Sequence, residues 1–264
     1  MRTAGIIDSL PVLQVRARHA FFASPRPLVF AHRGGAALAP ENTIAAFDNG
    51  IALGADGLEL DVRLSRDGLV FVHHDRLLDR TTPLRGPSEA RTADDLARAN
   101  VPLLADVLAR YRDARIIIEM KVNSMEAARA TVDAVRRADA VDRVCLGAFG
   151  RRVLREARAI EPAMATSAAR VEVRWALYRS WMHWPISHVA YSGFQVPEVA
   201  GRTRIVSPRF IDAAHRAGLA VQVWTVDTED DARRLLGWGV DALITDRPDV
   251  VVPIVRDGLV AKAT

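Results

Sequence analysis

The sequence predicts an α/β protein whose parallel strands close into a single (β/α)8 barrel. Three observations lead to this fold class. Short β-branched runs alternate with helical Ala/Arg/Leu patterns along the chain, which is typical of βα units and a parallel sheet. The 264 residues exceed a small domain but suit one barrel of about 250 residues. No internal repeat and no low-complexity linker divides the chain.

The composition is that of an ordinary globular protein. Half of the residues are hydrophobic, 26% are charged and the mean hydropathy is +0.04, values that exclude disorder, collagen and coiled coil. The lone cysteine, Cys145, excludes an internal disulfide framework and a cysteine-rich zinc site. The net charge is +4, but 36 basic residues are spread among 32 acidic ones, so we expect no nucleic-acid partner.

The sequence predicts neither a membrane span nor a secretory signal. No uninterrupted apolar run approaches the roughly 20 residues that a membrane helix needs. The segment from Met1 to Pro27 lacks a continuous apolar core before a small-residue cleavage site. Together with the scarcity of cysteine, these features lead us to expect a cytoplasmic protein, with a secreted protein that lacks disulfides as the alternative. No pattern predicts an oligomeric state.

The chain is predicted to comprise an N-terminal extension followed by one domain. The extension covers residues 1–26 and ends at the Pro25–Pro27 break in the helical pattern. Residues 27–264 form the predicted barrel domain. The extension is predicted to be an amphipathic helix because its aliphatic residues recur at helical spacing: Ile6, Ile7, Leu10 and Leu13.

Nine runs are candidate strands, one more than a closed eight-stranded barrel needs. In chain order they are Leu28–His32, Gly57–Val62, Leu69–His74, Arg115–Met120, Val144–Phe149, Ala163–Ser167, His188–Phe194, Ala220–Thr225 and Ala242–Thr245. The clearest predicted helices are Thr43–Leu53, Met125–Ala138, Arg151–Ile160, Pro208–Ala217 and Thr228–Trp238. Only the turn Ser65–Gly68 separates the second run from the third, whereas a parallel crossover needs about a dozen residues. Either this βα unit lacks its helix or one of the nine runs is not a barrel strand.

Acidic side chains interrupt two apolar runs near their C-terminal ends. Glu59 and Asp61 share one face of their strand, and Glu119 shares a face with Lys121, because side chains alternate along a strand. The C-terminal ends of parallel barrel strands form one rim, where active sites are built. Since buried carboxylates need a partner, we expect Glu59, Asp61 and Glu119 to bind one divalent cation, Mg²⁺ or Ca²⁺. The alternative is a set of salt bridges to nearby arginines.

Two histidines are predicted to end strands at the same rim. His32 and His74 suit general acid–base catalysis because imidazole titrates near neutral pH. His73 points to the opposite side of its strand, so we expect it to have a packing or hydrogen-bonding role. The other histidines lack such a context and are interpreted as structural: His19, His183, His188 and His215.

Cationic side chains lie next to the predicted histidines and metal ligands. Arg33 and Lys121 are suited to phosphate binding, and arginine can bind phosphate through two hydrogen bonds. The pair Gly34-Gly35 is predicted to form a tight turn, and Asn42 and Thr43 to cap the first helix. We interpret three further polar residues as having no role beyond lying at strand ends: Asp75, Arg80 and Asp246.

Taken together, these residues resemble the glycerophosphodiester phosphodiesterase family. The resemblance extends from Leu28 to about Val250 and is most specific in its first fifty residues, whereas the stretch 122–205 matches weakly. The matching motifs are Ala31–Gly35, Pro40–Phe47, Gly54–Val62, Ser65–Gly68, His74-Asp75, Leu78–Thr82, Ile118–Lys121, Val223–Val226 and Gly239–Pro248. Two departures are Asp227, where the family usually has Asn, and a short, charged Pro83–Ala99 stretch.

The resemblance implies a phospholipase-C-like TIM barrel that hydrolyses small-molecule glycerophosphodiesters to glycerol 3-phosphate and an alcohol. By motif, His32 and His74 are similar to the family's acid–base pair, and Arg33 and Lys121 to its phosphate-binding residues. Trp224 resembles the aromatic residue that packs against the glycerol part of the substrate. By the same matching, the residues implied to bind the divalent metal are Glu59, Asp61 and Glu119.

Two other functions remain open from the sequence. The stretch Val171–Ile186 interleaves aromatic residues with arginines, which suits a membrane interface and a lysophospholipase D or sphingomyelinase-D-like activity. Helical spacing of its aromatic residues instead favours an outer barrel helix that simply packs, so peripheral membrane contact is not the favoured interpretation. A non-catalytic barrel that binds phosphate headgroups is the third candidate, although no catalytic residue type is missing.

Overall fold

The computed structural model describes residues 17–260, with side chains up to residue 257. Eleven strands lie in this part of the chain: β1 Leu28–His32, β2 Gly57–Leu64, β3 Val70–Val72, β4 Arg115–Met120, β5 Val144–Gly147, β6 Ala165–Thr166, β7 Gly193–Pro197, β8 Val199–Ala200, β9 Thr203–Arg204, β10 Ala220–Trp224 and β11 Ala242–Thr245. Its nine α-helices are α1 Ile44–Ala52, α2 Ala93–Arg98, α3 Leu104–Arg110, α4 Met125–Arg137, α5 Arg151–Ile160, α6 Arg170–Trp181, α7 Pro208–Arg216, α8 Glu229–Trp238 and α9 Pro248–Val260.

Eight parallel strands form the predicted barrel. Their order around it is β6-β5-β4-β2-β1-β11-β10-β7. The circle closes between β7 and β6, where the amide of Ser192 donates to Thr166 O (2.8 Å) and the amide of Ala168 donates to Gly193 O (2.9 Å). The (β/α)8 TIM-barrel fold predicted from the sequence is therefore confirmed.

The ninth run is not a barrel strand. It forms β3, which pairs antiparallel with β2 through Val62↔Val72 and Leu64↔Val70. The predicted turn joins the two strands, because the Gly68 amide donates to Ser65 O (3.0 Å) and Gly68 has a left-handed φ of 80°. The second βα unit thus carries a hairpin between its barrel strand and its helices α2 and α3.

One predicted strand is wrong in its bounds. The run His188–Phe194 was expected to be a strand, whereas β7 covers Gly193–Pro197 and pairs with Ala220–Trp224. His188 has a left-handed φ of 55°, which is incompatible with a strand. The other predicted barrel strands and the five predicted helices lie where the sequence places them, to within a few residues at each end.

Alternation along the strands separates two packing regions. Outward-facing residues such as Leu58 and Leu60 pack against the helices. Inward-facing residues fill the barrel, and Phe30 is completely buried among them. The inward positions continue along β1, β2, β4 and β10 toward the C-terminal rim, where polar side chains replace the apolar ones.

The described part of the N-terminal segment closes the opposite end of the barrel. Residues 20–22 form a 3-10 helix whose Phe21 and Phe22 are buried inside the barrel. The Phe21 ring stacks on Phe30 at 6.0 Å, and the Phe22 ring meets Phe21 edge-on at 5.0 Å. The amphipathic helix predicted near Ile6–Leu13 lies outside the described residues, and the division of the chain after residue 26 stays a prediction.

Among residues 17–260, no helix is both long enough and apolar enough to cross a lipid bilayer.

We expect Phe21→Ala to destabilise the protein by about 3–5 kcal/mol, because it removes a large aromatic ring from a closed interior. Urea unfolding followed by circular dichroism measures this loss. Leu69→Ala, which truncates a side chain in the exposed β2–β3 turn, serves as the control and should change stability by less than about 0.5 kcal/mol. A loss below about 1 kcal/mol for Phe21→Ala would show that this segment contributes little to the barrel.

Candidate active site

A cleft of about 740 Å³ opens at the C-terminal rim of the barrel. Seven of the eight site residues predicted from the sequence line it: His32, Arg33, Glu59, His74, Glu119, Lys121 and Trp224. The eighth, Asp61, lies beside Glu59 with only 1% of its surface exposed. The structure thus brings together residues that are far apart in the chain.

Three carboxylates meet at the floor of the cleft. Glu59 and Asp61 come from β2 and Glu119 from β4, and the register pairs Asp61 directly with Glu119. One oxygen from each of the three lies within 4.8 Å of the other two. Oxygen atoms at this spacing are the ligand set that a hard divalent cation prefers.

The carboxylates do not ionise equally. Burial, reinforced by the charge of Asp61, raises the pKa of Glu59 to about 8. Burial also opposes the ionisation of Asp61, but the positive charges of Lys121 and Arg33 outweigh it and lower the pKa of Asp61. The cluster therefore retains a proton at neutral pH when no cation neutralises it.

Two basic side chains partly neutralise the negative charge of the carboxylate cluster. Lys121 Nζ lies 2.8 Å from Asp61 Oδ1 and 3.1 Å from Glu119 Oε1, and Arg33 Nε lies 3.1 Å from Asp61 Oδ2. These are ion-pair distances, but neither Asp61 Oδ1 nor Glu119 Oε1 accepts a well-aligned hydrogen bond. Salt bridges, the alternative considered from the sequence, are thus present but leave two buried carboxylate oxygens without a hydrogen bond.

Asn42 holds Asp61 in place. Its side-chain amide donates to Asp61 Oδ2 at 2.9 Å, and its carbonyl oxygen accepts the Asp61 amide at 3.3 Å. Asn42 has a left-handed φ of 58° and is almost completely buried. The sequence assigned Asn42 and Thr43 to helix capping, but only Thr43 is the N-cap of α1. Asn42 instead orients one of the candidate metal ligands.

Each predicted catalytic histidine is held by an aspartate. His32 Nδ1 lies 2.7 Å from Asp246 Oδ1, and His74 Nδ1 lies 2.7 Å from Asp75 Oδ1. Burial lowers the affinity of His32 for a proton, but the carboxylates of Glu59 and Asp246 outweigh burial and raise the pKa of His32. The interpretation of Asp75 and Asp246 as mere strand-end residues was therefore wrong.

Further contacts fix these aspartates. The Asp246 amide donates to Asp227 Oδ1 at 2.7 Å, so the residue that departs from the family motif orients the Asp246 loop. Arg80 donates to Asp75 at 2.5 Å and forms two hydrogen bonds with Glu41, at 2.7 and 2.9 Å. Arg80, also assigned only to a strand end from the sequence, therefore braces the His74 side of the cleft.

Glu41 connects Arg80 with Arg33, one of the candidate phosphate-binding residues. Its Oε1 also accepts from Arg33 Nη1 at 3.1 Å, and the two guanidinium groups of Arg80 and Arg33 lower the pKa of Glu41. The turn that carries Arg33 needs Gly34, whose φ is 90° and whose Cβ would lie 2.7 Å from Ala46. The predicted role of the glycine pair in a tight turn agrees with this geometry.

The remaining histidines lie outside the cleft. His73 is buried, and its Nε2 contacts Leu77 O at 3.2 Å, as expected for a side chain on the other face of the strand. Burial lowers the pKa of His73. Two of the histidines interpreted as structural contact main-chain or acidic groups, since His19 meets Ala163 O and His215 meets Asp241, each at 2.9 Å.

The cleft continues from its polar floor into an apolar arm. Trp224 meets Phe149 edge-on at 6.2 Å at the boundary between the two parts. The apolar residues of this arm come from α6, from β8 and from the chain after β9: Val173, Leu177, Tyr178, Trp181, Ala200 and Ile205. Arg170 and Arg174 of α6 also line the cleft. The sequence favoured an outer helix that packs its aromatic residues, but α6 lines the cleft and leaves Trp175, Tyr178 and Trp181 exposed.

Comparisons with known proteins agree with the site. The model of the glycerophosphoryl diester phosphodiesterase family matches residues 32–250. The glycerophosphodiester phosphodiesterase of Caldanaerobacter subterraneus subsp. tengcongensis is 28% identical over 88% of this chain and 99% of its own length. A Mycobacterium tuberculosis protein named "Probable glycerophosphodiester phosphodiesterase 2" is 32% identical over 89% of this chain and 91% of its own length.

Solved structures show the same relationship. The crystal structure of glycerophosphodiester phosphodiesterase from Agrobacterium tumefaciens superposes with a TM-score of 0.72 at 28% identity. The match covers 88% of this chain and all of the other. Because the family model extends over nearly the whole barrel and the same fold recurs in a relative of this name, the chain belongs to the glycerophosphoryl diester phosphodiesterase family.

Proposed function

We propose that this protein hydrolyses glycerophosphodiesters to glycerol 3-phosphate and an alcohol, and that His32 and His74 act as its acid–base pair. The observation that supports this assignment most strongly is that two aspartate-held imidazoles and a three-carboxylate cluster line one cleft. Membership in the family supplies the reaction class, and the cleft supplies groups for each part of it.

The carboxylate cluster fits a divalent cation. Glu59, Asp61 and Glu119 offer oxygen ligands within 4.8 Å of one another. Asp61 Oδ1 and Glu119 Oε1 lie 2.8 and 3.1 Å from Lys121 Nζ but accept no well-aligned hydrogen bond. Burial, together with the charge of Asp61, raises the pKa of Glu59, and a bound cation would favour its ionised form. When bound, Mg²⁺ or Ca²⁺ would neutralise charge on the phosphoryl oxygens.

Basic side chains of the protein would stabilise the phosphate. Arg33 and Lys121 both line the cleft, and both lie against Asp61. A guanidinium and an ammonium in a partly buried site stabilise developing negative charge more strongly than they would in water. Trp224, at the boundary with the apolar arm, would pack against the glycerol part of the substrate.

The aspartates prepare the histidines for proton transfer. Because Asp246 and Asp75 occupy the two Nδ1 atoms, the Nε2 atoms of His32 and His74 are the ones left to exchange protons with the substrate. One imidazole would remove a proton from the nucleophile, either water or the substrate's own 2-hydroxyl, and the other would protonate the departing alkoxide. Attack by the 2-hydroxyl would give a cyclic phosphate, which water then opens to glycerol 3-phosphate. Arg80 keeps Asp75 in position for this task.

The apolar arm supports a second candidate function, the hydrolysis of single-chain phospholipids by a lysophospholipase D-like reaction. The arm begins beside Trp224 and is bounded by Leu177 and Ile205. Apolar walls of this kind suit an acyl chain, which small glycerophosphodiesters lack. The observation concerns only the size and character of the cleft, so we rank this function second.

We expect His32→Ala and His74→Ala each to lower kcat by about 10²–10⁴, because each removes a general acid or base. A coupled assay for glycerol 3-phosphate, with glycerophosphocholine as substrate and Mg²⁺ or Ca²⁺ present, measures the effect. His183 is exposed and does not line the cleft, so His183→Ala is the control and should retain full activity. Unchanged turnover in both cleft variants would contradict the assignment.

Cation binding should release about one proton at about pH 7, because Glu59 has a pKa of about 8 and must lose its proton to become a ligand. The release should disappear above about pH 9 and in Glu59→Gln. Calorimetric titration of Mg²⁺ in buffers of different ionisation enthalpy measures it. Removal of the cation by EDTA should abolish activity, and activity that resists EDTA would disprove the metal assignment.

A bulky substitution in the apolar arm should distinguish between the two candidate functions. If single-chain phospholipids are substrates, we expect Ala200→Trp to lower kcat/KM for lysophosphatidylcholine by about tenfold or more and to leave that for glycerophosphocholine unchanged. The neighbouring exposed Val199 does not line the cleft, so Val199→Trp is the control. Equal effects on both substrates, or no turnover of the lipid, would exclude the second function.

A further inference from the structure

The outer side of α6 and the turn after it carry a row of large apolar side chains in water. Trp175, Tyr178, Trp181, Met182 and Trp184 are 65%, 50%, 45%, 59% and 61% exposed. The first three form a chain of edge-on ring contacts, at 6.4 Å between Trp175 and Tyr178 and 5.4 Å between Tyr178 and Trp181. A contiguous exposed apolar patch of this kind marks an interaction site.

The same helix is positively charged. Arg170 and Arg174 are exposed and also line the cleft, where the Arg170 guanidinium lies 4.9 Å from the centre of the Phe149 ring. No carboxylate in the described part of the chain forms an ion pair with either arginine. The only acid between Ser167 and Pro197 is Glu172, and Arg158 neutralises it through hydrogen bonds of 2.8 and 3.0 Å. Arg179 also lies on α6 and donates to Pro185 O at 2.7 Å, which supports the turn that presents Trp184.

Helical geometry makes the patch continuous with the mouth of the cleft. Val173 and Leu177 face inward and line the apolar arm, whereas Trp175 projects outward on the same turns. Tyr178 and Trp181 take part in both surfaces, since they are exposed and also line the cleft. A binding partner that covers the patch would therefore lie at the entrance to the candidate active site.

An anionic lipid surface matches this combination of features. Tryptophan and tyrosine rings favour the headgroup level of a bilayer, and arginines pair with anionic lipid phosphates. A second copy of the chain fits less well, because two-fold contact through the same patch would bring two positively charged faces together. A nucleic-acid strand could stack on the rings and pair its phosphates with the arginines, but it would leave Met182 and the apolar arm without an apolar partner.

We propose that this α6 face, comprising Arg170, Arg174, Trp175, Tyr178, Trp181, Met182 and Trp184, docks the protein on an anionic lipid bilayer. The aromatic rings enter the headgroup region while the arginines contact lipid phosphates. Docking places the mouth of the cleft at the membrane surface. The proposal rests on the exposed face and its charge, and it does not require the proposed reaction to take place.

Co-sedimentation with vesicles tests the proposal without any measurement of activity. We expect the full chain to bind phosphatidylcholine vesicles that contain about 30 mol% phosphatidylglycerol, and to bind pure phosphatidylcholine vesicles at least fivefold more weakly. Binding to the anionic vesicles should weaken as salt rises from about 0.1 to about 1 M. A blue shift of tryptophan fluorescence should accompany binding.

Two variants of the α6 face and one control sharpen the test. The double variant Trp175→Ala/Trp184→Ala should lower vesicle affinity by about tenfold or more. It should retain glycerophosphocholine hydrolysis, because neither residue lines the cleft. Arg174→Glu should lower vesicle affinity by about fivefold or more. The matched control is Arg137→Glu, an exposed arginine on α4, which should bind as the unmodified protein does.

Several outcomes would overturn the proposal. They are no binding to anionic vesicles, equal binding by the two face variants and the Arg137→Glu control, and salt-independent binding to neutral lipid. Light scattering that shows a dimer which Trp175→Ala/Trp184→Ala dissociates, with no vesicle binding, would assign the face to self-association. Binding to single-stranded oligonucleotide in place of vesicles would assign it to nucleic acid. A protein that binds vesicles but fails to hydrolyse glycerophosphocholine would retain this proposal and lose the proposed function.

Discussion

The burial of three carboxylates at one rim of the barrel is the constraint on which the site depends. Glu59, Asp61 and Glu119 come from neighbouring strands, so the parallel register itself forces like charges together. Burying such charges without compensation costs several kcal/mol each. Lys121 and Arg33 reduce this cost at Asp61, but burial and the charge of Asp61 still raise the pKa of Glu59, so its ionised form is poorly stabilised. A divalent cation would complete the balance, which is why we connect the cluster to metal binding.

A series of ion pairs connects the carboxylate cluster with His74, one of the two catalytic candidates. Arg33 contacts Asp61 on one side and Glu41 on the other. Glu41 binds Arg80, Arg80 binds Asp75, and Asp75 holds the imidazole that faces the cleft. Charges therefore alternate from the buried cluster to the mouth of the cleft. Because every member has a partner of opposite charge, the network can be partly buried and still hold its side chains in one arrangement.

Sequence patterns predicted the parts of this molecule that depend on periodicity. Alternation along strands located the inward-facing residues, and position at strand ends brought them to one rim. The sequence could not show which loop residues approach them. Asp246 follows a strand end as many surface aspartates do, and its contact with His32 spans 214 positions of the chain. The exposure of Trp175 was missed for a similar reason, because helical spacing shows which residues share a face but not what covers that face.

The irregular second βα unit accounts for the placement of the second imidazole. In a regular barrel, each strand ends at the C-terminal rim and is followed by a helix that returns the chain to the opposite end of the barrel. Here β3 instead turns back beside β2, and the His73 amide donates to Asp61 O at 2.9 Å. The second strand of the hairpin, β3, is only three residues long, so His74 lies at the same level of the barrel as the carboxylates. A full crossover would have carried this residue to the far end of the barrel, away from His32. The departure from the regular pattern therefore puts both imidazoles at one cleft.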